Sequence, residues 1–154
     1  MYNIKAYTIR RTKYASQLTA SGVANRWNKS NQYVIYAGSS IALSTLDFLV
    51  HRANVYIENS YQILSLSIAV NDDEEHLIER EDLPKNWRSI HAYSKLQEMG
   101  SNWYTENKSL IMKVPSAVVT QEYNFLINTS NSAFTSSVKI IDREEFVWDS
   151  RLFK

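Results

Sequence analysis

Hydrophobic positions recur at every second residue in one long segment of the chain. From Leu64 to Val70, large aliphatic residues alternate with Ser or Ala, which is the period of a strand with one buried face. We therefore predict a strand over residues 60–70. Shorter apolar runs predict further strands at 3–9, 33–37, 76–80, 110–114 and 138–142, and a last strand or aromatic turn at 146–153.

Two segments show helical spacing. The first follows a glycine-serine turn at 38–40 and begins at about Ile41. Ser40 is its predicted N-cap, because a serine hydroxyl can accept a hydrogen bond from one of the first free helical N–H groups. The second covers residues 94–104, and Gly100 weakens it by about 1 kcal/mol relative to alanine. Its apolar residues are Leu96, Met99 and Trp103.

One carboxylate stands at the edge of the first helix's apolar face. The residues predicted to face the core are Ala42, Leu43, Leu46, Leu49 and Val50. Asp47 lies roughly 110° round from the centre of that stripe, with His51 one turn further along the same side. We expect a half-desolvated carboxylate there, directed sideways beside the strand at 33–37.

The number and order of the predicted elements indicate the fold class. Strands outnumber helices and do not alternate strictly with them, so we predict an α+β fold with a mixed, mainly antiparallel sheet and a few helices. A chain of 154 residues suits one domain with a substantial core, and we expect a single domain over residues 1–154. Hydrophobic and charged contents of 44% and 21% exclude global disorder.

Composition excludes several kinds of chemistry. The chain has no cysteine, so disulfides, thiolate nucleophiles and thiolate metal sites are excluded. Neither His76 nor His91 has an acid or another histidine at a convincing metal-ligand spacing, and we predict no metal. The N-terminal residues lack the apolar run of a leader, and no stretch of about 18 apolar residues occurs. We expect a cytoplasmic protein that does not enter a membrane.

Charge is unevenly distributed, although the net charge is only +1. A value so near zero predicts no general affinity for nucleic acid or anionic lipid. Residues 1–46 carry lysines and arginines but no acid, and Asp47 is the first carboxylate of the chain, whereas residues 72–82 are mostly acidic. For the basic arm, an anionic ligand and a solvated surface are equal alternatives, while the acidic run is expected to be a solvated turn.

Several short motifs follow one another in a fixed order. They are RWN at 26–28, Tyr36, Asp47 followed by FLVH at 48–51, LPKNW at 83–87, VPSA at 114–117, NFLIN at 124–128 and DSRL at 149–152. In this order they resemble the RES domain, the toxin half of certain bacterial toxin-antitoxin pairs. The chain departs from the family pattern at three places: Asp47 replaces Glu, Ala24-Asn25 replaces two glycines, and Thr8 replaces an arginine of the first strand. Arg10, two residues after Thr8, could reach the same side of that strand.

The resemblance implies an ADP-ribosyltransferase-like fold. It also implies an enzyme that breaks the bond between nicotinamide and ribose in NAD+. NAD+ is then a consumed substrate and no cofactor is retained, in agreement with the absence of dinucleotide and P-loop glycine motifs. Inorganic phosphate is a candidate co-substrate. The implied catalytic residues are Arg26, Asp47 and Ser116, and the implied NAD+-binding residues are Arg26, Tyr36, Ser116 and Asn124.

The implied roles agree with the chemistry of these side chains. A fixed carboxylate at Asp47 stabilises an oxocarbenium-like state, and Arg26 grips the diphosphate as a planar donor. Tyr36 stacks on nicotinamide or donates to a phosphate, and Ser116 binds a phosphate or the ribose.

Residue types alone also allow structural interpretations of the same positions. Arg26 can be a surface cation stacked on Trp27, and Tyr36 a core aromatic. Asp47 and His51 can form a local helix pair, and Ser116 can belong to a turn.

Three functions therefore stay open. The first is a toxin that degrades NAD+ by phosphorolysis or hydrolysis and is silenced by an Xre-type antitoxin protein. The second is a toxin that transfers ADP-ribose to a protein. The third is a catalytically decayed RES domain that binds a nucleotide or a partner, which the three departures from the family pattern keep open. A homodimer is left open as well.

Overall fold

The structure is a computed structural model and describes residues 1–51 and 60–153. Its strands are β1 (Tyr2–Arg11), β2 (Val34–Gly38), β3 (Tyr61–Val70), β4 (Glu75–Leu77), β5 (Ile111–Pro115), β6 (Tyr123–Asn128) and β7 (Val138–Phe146). Its helices are α1 (Ile41–His51), α2 (Tyr93–Glu106) and the short α3 (Phe134–Ser137). Short 3-10 turns lie at Thr12–Tyr14, Asp72–Glu74, Arg80–Asp82, Ile90–Ala92 and Ser150–Phe153.

The strands form one sheet in the order β4-β5-β6-β2-β1-β3-β7. Only the β4–β5 pair among these is parallel, and the other five pairs are antiparallel. The predicted fold class, α+β with a mixed and mainly antiparallel sheet, is therefore confirmed.

The sheet consists of two halves that barely touch. The first half contains β4, β5, β6 and β2, and the second half contains β1, β3 and β7. All ten residues of β1 pair with β3, whereas β1 and β2 share a single register pair, Tyr7 with Gly38. We call this junction the seam. Beyond it the two strands diverge and leave space between them.

Glycine is needed at the seam because α1 lies directly over it. A Cβ added to Gly38 would come within 2.5 Å of the Ser44 Oγ. That hydroxyl donates to the Tyr7 carbonyl at 2.7 Å, so Ser44 ties α1 to β1 at the point where the two halves meet. At the start of the helix, the Ser40 Oγ accepts from the Leu43 N–H at 3.0 Å, which confirms the predicted N-cap.

The predicted core face of α1 is confirmed at Leu43, which is buried, and at Leu49, which packs on a buried cluster, but it is wrong at the other three positions. Leu43 and Ser44 are the buried residues, while Leu46 and Val50 are 39% and 60% exposed and Ala42 is also exposed. The helix is rotated because its polar Ser44 makes the bond to the Tyr7 carbonyl, and a count of apolar positions scores that serine as outward. Asp47 lies three positions after Ser44 and is half-buried beside the sheet, as we expected.

The long alternating segment behaves as predicted. Leu64, Leu66, Ile68 and Val70 are fully buried in the main apolar cluster, and the residues between them are partly exposed. By contrast, β5 and β6 bury both of their faces: Ile111 and Ile127 belong to this cluster, while Met112 and Leu126 belong to a second cluster under α2. The sequence interpretation did not identify β6 as a strand, because a strand buried on both faces shows no alternation.

Helix α2 packs closely on the loop before β2. A Cβ added at Gly100 would overlap the Trp27 carbonyl far inside van der Waals contact. The glycine that costs helix propensity is therefore the residue that permits this approach. Leu96 and Trp103 are buried as predicted.

The remaining elements differ from the predictions mainly in their bounds. The strand predicted at 76–80 is limited to Glu75–Leu77, and the short helix α3 was not predicted. The aromatic segment at the end of the chain packs as a turn around Trp148, whose ring contacts Phe146 and Phe153 at centroid distances of 4.7 and 5.9 Å.

Candidate functional site

Two cavities meet at the seam. The smaller, which we call the cleft, has a volume of about 320 Å³ and is lined by Arg26, Trp27, Tyr36, Asp47, Val50, Arg88, Ala117, Val118 and Asn124. The larger, which we call the groove, has a volume of about 690 Å³ and lies between β1, the loop that follows β1, and β2. Three residues line both cavities, namely Tyr36, Asp47 and Asn124.

Asp47 is held by a neighbouring amide at this shared wall. The Asn124 Nδ2 donates to the Asp47 Oδ2 at 2.7 Å and lies 3.4 Å from the Ala37 carbonyl. Because Asp47 comes from α1 and Asn124 from β6, the contact connects the helix over the seam to the first half of the sheet. The carboxylate is half-buried and oriented. The side chain of its predicted partner His51 lies outside the described part of the structure.

Arg26 lies in the cleft wall, but protein groups hold its guanidinium. Nη1 donates to the Trp87 carbonyl at 2.9 Å and Nη2 to the Arg88 carbonyl at 3.3 Å. The guanidinium carbon lies 4.8 Å from the centre of the Tyr93 ring. Nε is buried and has no hydrogen-bond partner within the described residues. The stacking partner is thus Tyr93, and not Trp27 as the structural interpretation had it.

The hydroxyl of Tyr36 is also occupied. It donates to the Asn28 Oδ1 at 2.6 Å and accepts from the Trp27 N–H at 3.0 Å. Burial raises the pKa of Tyr36 well above its ordinary value, so the phenol stays protonated. This arrangement leaves the ring, which lines both cavities, as the part able to contact a ligand, and it favours stacking over donation to a phosphate.

Ser116 does not line either cavity. It is fully buried, and its Oγ accepts from the Val118 and Val119 N–H groups, each at 3.1 Å. The hydroxyl therefore shapes the loop that brings Ala117 and Val118 to the cleft wall. This geometry matches the turn interpretation, and the catalytic role implied by the resemblance stays a prediction.

The groove is lined by cationic side chains from the acid-free N-terminal part of the chain. Arg10 and Arg11 both line it, together with Thr8, so Arg10 reaches the side on which the family's strand arginine was expected. Burial lowers the pKa of Arg10 from its ordinary value. Partial desolvation of a guanidinium strengthens its attraction for an anion, because the local dielectric is lower than that of water.

Sequence reasoning missed three residues that build the cleft. Asn28 holds the hydroxyl of Tyr36, Tyr93 stacks on Arg26, and Arg88 lines the cleft directly. Asn28 and Arg88 had a signal available, because Asn28 is the third residue of RWN and Arg88 follows LPKNW. Tyr93 had none, since its contact depends on how α2 packs.

Two further properties concern the described residues alone. No group of three or more His, Asp or Glu side chains in 1–51 and 60–153 could hold a metal ion. In the same part of the chain, no helix is both long and apolar enough to cross a bilayer.

Comparisons with known proteins identify what the whole chain is similar to. Residues 5–149 match the model of the RES domain. Toxin Res of Yersinia enterocolitica is 30% identical over 147 residues, covering 94% of this chain and 95% of that protein. The Prs ADP-ribosylating toxin of a Sphingobium species is 26% identical over 152 residues, covering 94% of this chain and 91% of that protein.

A solved structure shares the fold at low sequence identity. The crystal structure of the M. tuberculosis MbcT-MbcA toxin-antitoxin complex contains a chain that superposes with a TM-score of 0.77 and 12% identity, over 95% of this chain and 85% of that one. The likeness supports the architecture that the motifs implied. With a family model that spans nearly its whole length, the chain belongs to the RES-domain family.

Proposed function

We propose that this RES-domain protein is the toxin of a toxin-antitoxin pair and that it destroys NAD+ by breaking the bond between nicotinamide and ribose. One observation carries the proposal: a carboxylate, Asp47, is fixed by Asn124 where a cleft and a cationic groove meet. Both volumes fall in the range of small-molecule sites. A dinucleotide could place one half in each cavity, with its reacting ribose beside Asp47.

The chemistry suits a fixed carboxylate. When the bond from ribose C1 to the nicotinamide nitrogen breaks, its electron pair neutralises the pyridinium, and the ribose develops oxocarbenium character. Asp47 stabilises that positive charge. Water or inorganic phosphate then attacks C1 and gives ADP-ribose or its 1-phosphate, with a proton released when water attacks. The ring of Tyr36 would stack on nicotinamide at the shared wall.

The test is to incubate purified protein with NAD+, with and without phosphate, and to separate the products by chromatography. Free ADP-ribose in both reactions indicates hydrolysis, and a phosphate-dependent sugar phosphate indicates phosphorolysis. Intact NAD+ in both reactions, from correctly folded protein, would contradict an NAD+-degrading enzyme and favour the decayed binding domain.

Substitutions at Asp47 test the catalytic carboxylate. Aspartate in place of glutamate retracts the carboxylate by ~1.5 Å, and a misplacement of about 1 Å can cost roughly 100-fold in rate. We expect Asp47→Asn to remove most of the turnover and Asp47→Glu to raise it. A fall with Glu would mean that the contact with Asn124 has adapted the site to aspartate. Equal rates for all three proteins would exclude Asp47 from catalysis.

Transfer of ADP-ribose to a protein is the second candidate function. It is favoured by one relative, the Sphingobium protein, which is named an ADP-ribosylating toxin. Labelled NAD+ added to a cell extract distinguishes the two, because only the transferase leaves label on a protein.

An Xre-type antitoxin is the proposed partner. The family resemblance and the toxin-antitoxin complex in which the MbcT fold was solved support it. Expression of this chain alone should arrest growth, and co-expression of the adjacent gene's product should relieve the arrest. Harmless expression of folded, soluble protein would contradict the toxin.

A further inference from the structure

The cleft contains a second guanidinium, Arg88, whose hydrogen bonds differ from those of Arg26. The Arg88 Nε donates to the Ala117 carbonyl at 2.8 Å. Its two terminal nitrogens have no hydrogen-bond partner among residues 1–51 and 60–153, and the residue is exposed and lines the cleft. Nε thus fixes the side chain to the loop after β5, while the end of the guanidinium stays available.

Arg26 offers much less to a ligand. Both of its terminal nitrogens already donate to backbone carbonyls, and its Nε is closed off from water. Neither edge of this guanidinium is fully open for the bidentate pairing that arginine makes with phosphate. Its bonds end on the carbonyls of Trp87 and Arg88, which is the segment that carries the second arginine.

We infer that Arg88 is the residue that binds the diphosphate of the substrate, and that Arg26 is a positioning residue which holds the 87–88 backbone in place for it. The inference rests on the proposed function, since it requires a substrate with a diphosphate. It reassigns the phosphate contact, because the family resemblance points to Arg26 for that role. The anchored Nε lowers the entropy cost of ordering a long side chain on binding.

The first test is calorimetric binding of ADP-ribose, which carries the diphosphate and is not consumed. Arg88→Gln removes a charged hydrogen-bond donor, and the variant should therefore bind ADP-ribose about 10- to 100-fold more weakly. Arg88→Lys should fall between Gln and wild type, because lysine keeps the charge but loses the planar pair of donors. Arg80→Gln, an exposed arginine outside both cavities, is the matched control and should bind as wild type does.

Kinetics with NAD+ separate binding from a merely structural role. Arg88→Gln should raise KM about tenfold or more while kcat changes less than about threefold, because the diphosphate is held equally in the ground and transition states. A drop in kcat together with a lowered Tm would indicate a structural residue and overturn the inference.

A double-mutant cycle tests whether Arg26 acts through Arg88. Arg26→Ala should weaken ADP-ribose binding in the wild-type background and have a much smaller effect in the Arg88→Gln background. Equal effects in both backgrounds would mean that Arg26 contacts the ligand itself. Wild-type affinity in Arg88→Gln would overturn the role of Arg88 alone. Failure of the wild-type protein both to bind ADP-ribose and to consume NAD+ would instead overturn the proposed function, and this inference with it.

Discussion

The two halves of the sheet differ in the length of their strands and in the residues that they contribute to the site. In the second half, β1 pairs with β3 along its whole length, and eight register pairs join β3 to β7. In the first half the strands are shorter, and these strands and their connections supply most of the site: Arg26 precedes β2, Arg88 precedes α2, and Asn124 lies on β6. The long strands form a fully paired support, and the shorter strands with their connections position most of the functional side chains.

The contrast explains why the cavities lie where they do. At the seam a single register pair joins the halves, so the facing edges of β1 and β2 are not paired with each other beyond it. Backbone N–H and C=O groups left in this way are suited to polar ligands. Helix α1 contacts both β1 and β2, so it lies across the seam and brings Asp47 with it. The site is therefore a property of the junction and of neither half alone.

The largest expected effect comes from breaking the packing of the first half. Gly100→Ala would push a methyl group into the backbone of Trp27. That backbone cannot move without displacing its neighbour Arg26 and breaking the hydrogen bond from the Trp27 N–H to the Tyr36 hydroxyl. We expect a loss of about 3 kcal/mol or more in the free energy of unfolding, at the upper end of overpacking costs. Urea denaturation monitored by circular dichroism measures it.

The control for this substitution is Asn102→Ala, on the exposed side of the same helix. It should change the free energy of unfolding by less than about 0.5 kcal/mol. If Gly100→Ala were as stable as this control, α2 would not lie as close to Trp27 as described, and the positions of Arg26 and Arg88 would need revision.

The same two halves differ in how well the sequence predicts them. The alternation of β3 is visible because one face is buried and the other is partly wet. In β6 no alternation exists, since Phe125 and Leu126 point to opposite faces and are both buried. Three of the five predicted core positions of α1 were wrong for a related reason: the orientation of the helix depends on the polar Ser44 and on Gly38, neither of which scores as apolar.

A smaller and more specific effect is expected at the contact between Asp47 and Asn124. Asn124→Ala removes the donor that orients the carboxylate, and we expect kcat for NAD+ to fall roughly 10- to 100-fold. Asn124→Asp has a distinct signature. Two carboxyl groups at that distance share one proton, so the pKa of one of them rises.

The variant with two carboxyl groups should work best at low pH. At low pH the introduced carboxyl is protonated and can still donate a hydrogen bond to Asp47. The activity of the variant should decline as the pH rises through the raised pKa. The wild-type amide does not titrate in this pH range, so the ratio of variant to wild-type rates should fall with increasing pH. A ratio that does not change with pH would contradict the contact.

The site was predicted unevenly for a physical reason. The motifs identified Arg26, Tyr36, Asp47 and Asn124, and all four line the cleft. What the sequence did not reveal is which atoms remain available, because a side chain's hydrogen bonds depend on contacts between distant segments. Arg26 and Arg88 are 62 residues apart, yet one holds the backbone of the other. A sequence motif therefore shows which residues lie at the site, while the role of each residue depends on the hydrogen bonds that it makes in the folded protein.

The smallest expected effect distinguishes the two interpretations of Ser116. If its hydroxyl only caps the loop after β5, Ser116→Ala loses two accepted hydrogen bonds and about 1 kcal/mol of stability. Turnover of NAD+ should then fall less than about threefold, since Ala117 and Val118 shift only slightly. Ser136→Ala, an exposed serine outside both cavities, controls for the loss of a hydroxyl and should leave both quantities unchanged. A fall in kcat of roughly 100-fold or more with unchanged stability would mean that Ser116 turns into the cleft when substrate binds, and the catalytic role implied by the family resemblance would stand.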